Sequence, residues 1–197
     1  GANAVAGAMD QGVYSYIKHF ALYEGNGKMV SVWSNEQAIR EIYLKPFEIS
    51  VKEGGANAVM VSWSFLGHRW TGENSSLMKT VLRDEWGFRG MALTDFFRNN
   101  GHGFMNADAA LAGGVDAMLS TFDGPENNVA DRNHPTSVKQ MRNACKNVMY
   151  TVVSSWAYDG NSADVGMETW KKAAIGLDVV LALGLAAMEV MVVKGSK

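Results

Sequence analysis

Cysteine occurs once in the 197 residues, at Cys145. A lone cysteine excludes an internal disulfide and cannot build a thiolate metal cage. Doing without disulfides suits a cytosolic protein, and it also suits the many bacterial extracellular proteins that lack them. An excess of positive charge is missing too: the formal net charge is -2. Nothing therefore recruits nucleic acid or an anionic membrane surface by charge alone. His68, His102 and His134 show no metal-ligand spacing, and no Ser-His-Asp arrangement stands out. Gly25-Asn26-Gly27-Lys28 resembles a phosphate loop only superficially, because the full Walker pattern is absent. Neither a metal nor a cofactor is expected. Gly1 to Met9 is small and apolar, without the basic start or long apolar core of a signal peptide, so the start reads as an interior cut.

What is present is enough apolar sequence for a packed core, 47% hydrophobic against 19% charged. The apolar runs are short until Ala173–Val193, which is long enough at about 1.5 Å per residue to span a bilayer core of about 30 Å. Trp170, Lys171 and Lys172 precede it and Lys194 and Lys197 follow, as interfacial anchors would. Asp178 and Glu189 count against a span, though both lie nearer its ends than its middle. The segment is either a membrane anchor or a buried or amphipathic terminal helix.

Between these ends the pattern alternates. Val13–Ile17, Ala58–Trp63, Gly90–Phe96 and Ala117–Ser120 read as strands. Glu36–Glu53, a helix from Ser75 or Ser76 to before Gly87, Asn106–Ala112 and Thr136–Trp156 read as the helices between and after them. Ser34 or Asn35 is the expected cap of Glu36–Glu53, and Pro46 should kink or break it. Four strand–helix repeats mean an α/β fold with a parallel sheet, either a small open sheet or half of a barrel. The expected organisation is a βα domain over residues 1–158, a linker over 159–169 and an apolar helix over 170–197.

In such folds the working residues sit at the carboxyl ends of the strands. Those ends present Lys18-His19, Ser62-Trp63-Ser64, Thr94-Asp95 and Ser120-Thr121. Asp95 ends an apolar run and is followed by Phe96 and Phe97, so its carboxylate is a nucleophile, a base, a ligand for a sugar hydroxyl, or a cap on the next loop. Lys18 and His19 are two donors that suit sugar hydroxyls or simply solvent. Trp63, Trp70 and Phe96 form either an apolar platform for a pyranose face or part of the core.

Longer motifs narrow this. Lys18-His19-Phe20-Ala21-Leu22 is similar to the KHFALN segment of glycoside hydrolase family 3. Asn35-Glu36-Gln37 with Arg40 to Glu48 resembles that family's NEQ..REIYLKPFE helix. Gly54–Ser62, Leu82–Gly90, Thr94-Asp95, Met105–Asp108 and Ala112–Asp116 follow the same family in order, so the resemblance runs from about Gly12 to Tyr158. It implies the second half of a (β/α)8 TIM-like barrel, about four βα units, from a retaining exo-β-glycosidase resembling β-glucosidases. It implies Asp95 as nucleophile and Lys18 and His19 as the pair that holds sugar hydroxyls, with Trp63 added as a substrate-binding residue. The acid/base residue that a retaining enzyme requires has no candidate in this chain. The implied partners are a carbohydrate substrate and either the missing half of the barrel or a second copy.

Four positions depart from the pattern. A family arginine falls at Met29, the usual Asn-Arg falls at Ser64-Phe65, and the aromatic after the nucleophile is Phe96 where Trp or Tyr is usual. Lost arginines remove hydrogen bonds to sugar hydroxyls, which leaves open a non-catalytic sugar-binding or interaction protein on a degenerate barrel. Some relatives of this kind end in a membrane segment, so the expected location is extracellular or at the cell surface, with the cytoplasm left open.

Overall fold

A computed structural model describes residues 1–23, 31–97, 103–120, 124–158 and 169–195. Gly25-Asn26-Gly27-Lys28, Met29, His102, Thr121 and nearly all of the expected linker lie outside the described residues. The chain divides into two units, Gly1–Asp159 and Gly160–Lys197.

The first unit opens with helix α1 (Ala2–Asp10), followed by β1 (Tyr16–Phe20) and β2 (Ser31–Val32). A helical stretch runs through α2 (Glu36–Ala38), a π-helical segment (Ile39–Leu44) and α3 (Lys45–Lys52). Next come β3 (Ala58–Val61), the short strands β4 (Phe65–Leu66) and β5 (Arg69–Trp70), a π-helical segment (Ser76–Glu85) and β6 (Met91–Leu93). Helices α4 (Ala107–Gly113) and α5 (Pro135–Val153) complete the unit.

Strands β1, β3 and β6 form a parallel sheet in that order, with Tyr16 opposite Ala58 and Ala58 opposite Met91. Parallel strands demand crossovers, and the intervening helical stretches supply them. The expected fourth strand survives only as a parallel bridge between Leu93 and Ala117. Beyond it the Thr94 hydroxyl accepts from Leu119 N at 2.9 Å, so a side chain replaces a ladder bond and the regular strand stops. No closed barrel forms among the described residues. A second sheet, β2-β4-β5, was not legible in the sequence because each strand is two residues long.

Two boundaries differ from expectation for local reasons. Gly12 adopts φ 67° and Val13 N donates to Ala8 O, so residues 13–15 are spent leaving α1 and pairing starts at Tyr16. Lys18 and His19 therefore lie within β1 rather than beyond it. Pro46 does not break its helix. It sits in the first turn of α3, where its missing N–H is not needed, directly after the π-helical segment. Asn35 caps α2 as expected, its side chain accepting from Ala38 N at 2.8 Å. The next helical segment takes its cap from Asn74, not Ser75 or Ser76: Asn74 Oδ1 accepts from Leu77 N at 3.2 Å.

Phe20, Val59, Val61, Met78, Leu82 and Met105 fill the core. Trp70 joins them with 0% exposure, its indole N–H donating to Ser62 O at 2.9 Å, so it belongs to the core and not to a sugar platform. At the amino ends of the strands α5 is fastened by polar groups. The Thr151 hydroxyl donates to Asn57 O at 2.7 Å and accepts from Met91 N at 2.8 Å. Asp116 accepts from Arg83 at 2.6 Å, from Ala92 N at 2.8 Å and from Asn147 at 2.8 Å. Burial raises the Asp116 pKa, and the Arg83 guanidinium and the other donors act against that rise. Gly90 passes so close to the Asn57 backbone that a Cβ there would collide with it.

The second unit is described by α6 (Thr169–Gly195), 27 residues with a mean hydropathy of 2.1 over its most apolar window. By length and composition it could cross a membrane.

Replacing Thr151 by Val should remove its bonds to Asn57 O and Met91 N, which keep only the 3.1 Å bond to each other, at a cost of about 0.5–1.5 kcal/mol. Urea denaturation should show a lower midpoint at unchanged slope. An unchanged midpoint would mean the hydroxyl does not fasten α5.

Candidate active site

The parallel sheet sends Asp95 past the carboxyl end of β6, two residues after Leu93. The residue is 9% exposed. A carboxylate this deep needs donors, and it has one in its own turn: Phe96 N donates to Oδ1 at 2.6 Å. Its other oxygen, Oδ2, faces His19 Nε2 at 3.4 Å. His19 arrives from β1, on the far side of β3, so the contact spans the full width of the sheet. At 3.4 Å the pair is longer than an ordinary N–H···O bond and leaves room to tighten.

Burial lowers the His19 pKa below its usual value of 6.5. Asp95 opposes that shift by attracting the imidazolium, and Lys18 reinforces it by repulsion. The shift favours the neutral imidazole, which can donate or accept toward a hydroxyl. Lys18 is exposed and lines the same open cleft as His19. It forms no ion pair with Asp95 among the described residues.

Trp63 follows β3, and its half-buried indole donates to Phe96 O at 3.2 Å. That bond fixes the turn carrying Asp95. Asp95, His19 and Trp63 thus come from three adjacent strands and converge on one rim, with Lys18 beside them. Phe96 takes part through its backbone. The Ser120 hydroxyl accepts from Asn127 at 2.8 Å, and its neighbour Leu119 bonds Thr94 and Phe97 on either side of Asp95.

Beneath the rim lies a buried layer that contains Ser62 and Ser64, two of the expected strand-end residues. Ser62 is wholly buried. Its hydroxyl donates to Ala21 O at 2.7 Å and lies 3.1 Å from the Thr71 hydroxyl, which itself donates to Ser62 O. These bonds tie the segment after β1 to the end of β3, which holds His19 and Trp63 in register. Ser64, where the family pattern has Asn, is buried and receives a bond from Thr71 N. Phe65, where it has Arg, packs against Phe104 with ring centroids 4.9 Å apart. No charge is offered at these two positions.

Two larger clefts, of about 470 and 560 Å³, lie against α5 and contain neither Asp95 nor His19. The convergence of titratable groups, rather than volume, marks the candidate site. No group of three or more potential metal ligands occurs among the described residues.

Comparison with known proteins identifies the family. The family model described as "Glycosyl hydrolase family 3 N terminal domain" matches residues 1–151, so the chain belongs to that family. A beta-glucosidase of Rhizobium radiobacter is 43% identical over 95 residues, 47% of this chain and 12% of that protein. Beta-glucosidase B of Emericella nidulans is 38% identical over 114 residues, 57% of this chain and 13% of that one. Among solved structures, beta-glucosidase 3B from Thermotoga neapolitana in complex with glycerol aligns with a TM-score of 0.68 and 29% identity, over 79% of this chain and 23% of that one. A beta-glucosidase from Paenibacillus barengoltzii aligns at 0.64 with 27% identity, over 79% and 19% of the two chains. The chain therefore spans a quarter or less of the length of these relatives.

His19 should titrate below pH 6.5 by NMR. Because the neutral imidazole is favoured on folding, this group stabilises the fold above its unfolded pKa, and that contribution is lost as pH falls through the folded value. Replacing Asp95 by Asn removes the one attraction on the imidazolium and should lower the His19 pKa further. A rise on Asp95→Asn would contradict the contact.

Proposed function

We propose that this chain carries the nucleophile of a retaining β-glucosidase-like glycoside hydrolase. The observation that carries the reading is the Asp95 carboxylate, held by Phe96 N in its own turn and facing His19 from a neighbouring strand. In this reading Asp95 attacks the anomeric carbon of a terminal β-linked sugar. The glycosidic C–O bond breaks, a glycosyl ester of Asp95 forms, and water hydrolyses it. Lys18 and His19 orient sugar hydroxyls, and Trp63 offers its ring to the sugar's apolar face. Phe96 N donates to Asp95 Oδ1 and so orients the carboxylate for attack.

A retaining mechanism needs a second carboxyl about 5–5.5 Å from the first to protonate the leaving oxygen. No second carboxylate pairs with Asp95 or His19 among the described residues. We propose that the acid/base comes from outside this chain. We propose that the chain is the second half of a (β/α)8 barrel, and that the remaining strands, or a second copy, complete it. On the same reading α6 anchors the catalytic part at the outer cell surface. A second reading, a sugar-binding protein without catalysis, is favoured by one observation: Ser64 and Phe65 offer no charge where the family pattern has Asn-Arg.

A fluorinated glucoside with a dinitrophenyl leaving group separates the two, because that leaving group departs without protonation. Mass spectrometry should find the sugar on the peptide containing Asp95, and Asp95→Asn should abolish labelling. A panel of such glycosides that leaves Asp95 unmodified would overturn the hydrolase reading.

The anchor has its own test. The chain should float with lipid vesicles, and Leu183→Arg near the middle of α6 should weaken this, since arginine there costs about 2.5–3.5 kcal/mol. A chain that stays in the aqueous fraction without detergent would contradict the anchor.

A further inference from the structure

At the end of the sheet opposite Asp95, the first unit exposes apolar surface that its own core does not use. The chain enters β1 there through Gly12 and Val13, and leaves α5 there through residues 154–158. The two segments are joined, because Trp156 N donates to Gly12 O at 3.0 Å and a Cβ on Gly12 would collide with the Trp156 ring. Thr151, just before this exit, bonds the first residues of the β3–β6 pairing, which fixes the exit at the amino ends of the strands. Four side chains at this end keep about half or more of their surface in solvent: Val13, Val153, Trp156 at 58% and Tyr158 at 66%. Asp10, Lys52, Glu53 and Arg89 are also exposed here, and their charges cancel. What sets this end apart is therefore its apolar and aromatic surface.

Two observations choose what covers it. Trp and Tyr are the side chains that favour the level where a bilayer meets water, since each joins an apolar ring to a polar N–H or O–H. The chain also leaves the first unit at this same end. Residues 159–168 reach at most about 35 Å even when fully extended, and α6 follows, long and apolar enough to cross a membrane. A bilayer that holds α6 is thus never farther than about one small-domain diameter from the exit of α5.

We infer that Val13, Val153, Trp156 and Tyr158 rest in the headgroup layer of that bilayer, which turns the rim carrying Asp95 away from the lipid. The inference rests on the reading of α6 as an anchor and adds an orientation to it. The side chains act by partition rather than by charge, so neutral phosphatidylcholine is a sufficient partner.

The full chain in phosphatidylcholine vesicles tests this, with brominated acyl chains as contact quenchers of tryptophan emission. Trp156→Phe should lower the quenched share of the emission, because it removes a quenched ring while keeping the surface apolar. Val13→Asp leaves every tryptophan in place and should lower that share as well. Trp33, 75% exposed beyond the carboxyl ends of the strands, is an unquenched ring on this account, so Trp33→Phe should raise the share. Equal losses in Trp33→Phe and Trp156→Phe would overturn the orientation. A loss in Trp170→Phe, at the start of α6, without one in Trp156→Phe overturns the inference and keeps the anchor. No quenching at all, with the chain left in the aqueous fraction, overturns the anchor and the inference together. Dimers in detergent that Val13→Asp separates, with Trp156 unquenched in vesicles, overturn the inference by giving the surface to a second copy.

Discussion

A carboxylate removed from most of its water must be held by donors, and the place where Asp95 is held organises the rim of this sheet. One donor is local, Phe96 N, and the other partner, His19, comes from the opposite strand of the sheet. Because β3 lies between them, the contact forms only if three parallel strands keep their register. Trp63 adds a bond from the middle strand to the same turn. The site is thus a property of the sheet, and no single loop could reproduce it.

Register is maintained from beneath and from the far end. Beneath the rim, the buried Ser62 and Thr71 hydroxyls join the exit of β1 to the exit of β3. At the amino ends, Thr151 bridges Asn57 and Met91, the first residues of the β3–β6 pairing region. Arg83 and Asp116 tie the helical segment before β6 to the strand-like segment after it. A buried pair of this kind stabilises little against an apolar replacement, but losing one partner is severe, so it reads as a device for specific placement.

The repeating helices and strands were legible because apolar runs and caps such as Asn35 act locally. Asp95 was legible as a candidate because it ends an apolar run, and the ordered motifs made it a nucleophile candidate. The motif residues Arg83 and Asp116 were visible as resemblance only, since their pairing spans 33 residues and has no local signal. The rest was hidden for similar reasons. The small sheet has strands too short for periodicity. Trp70 looks like any other tryptophan until its neighbours enclose it.

The account stands or falls on Asp95, His19 and Trp63 forming one sugar site. NMR of the labelled chain during titration with glucose tests this directly. The account predicts that the Asp95 and Phe96 amides, the His19 imidazole and the Trp63 indole N–H shift together along one binding curve. Shifts confined to the clefts along α5, or separate curves for His19 and Asp95, would contradict it.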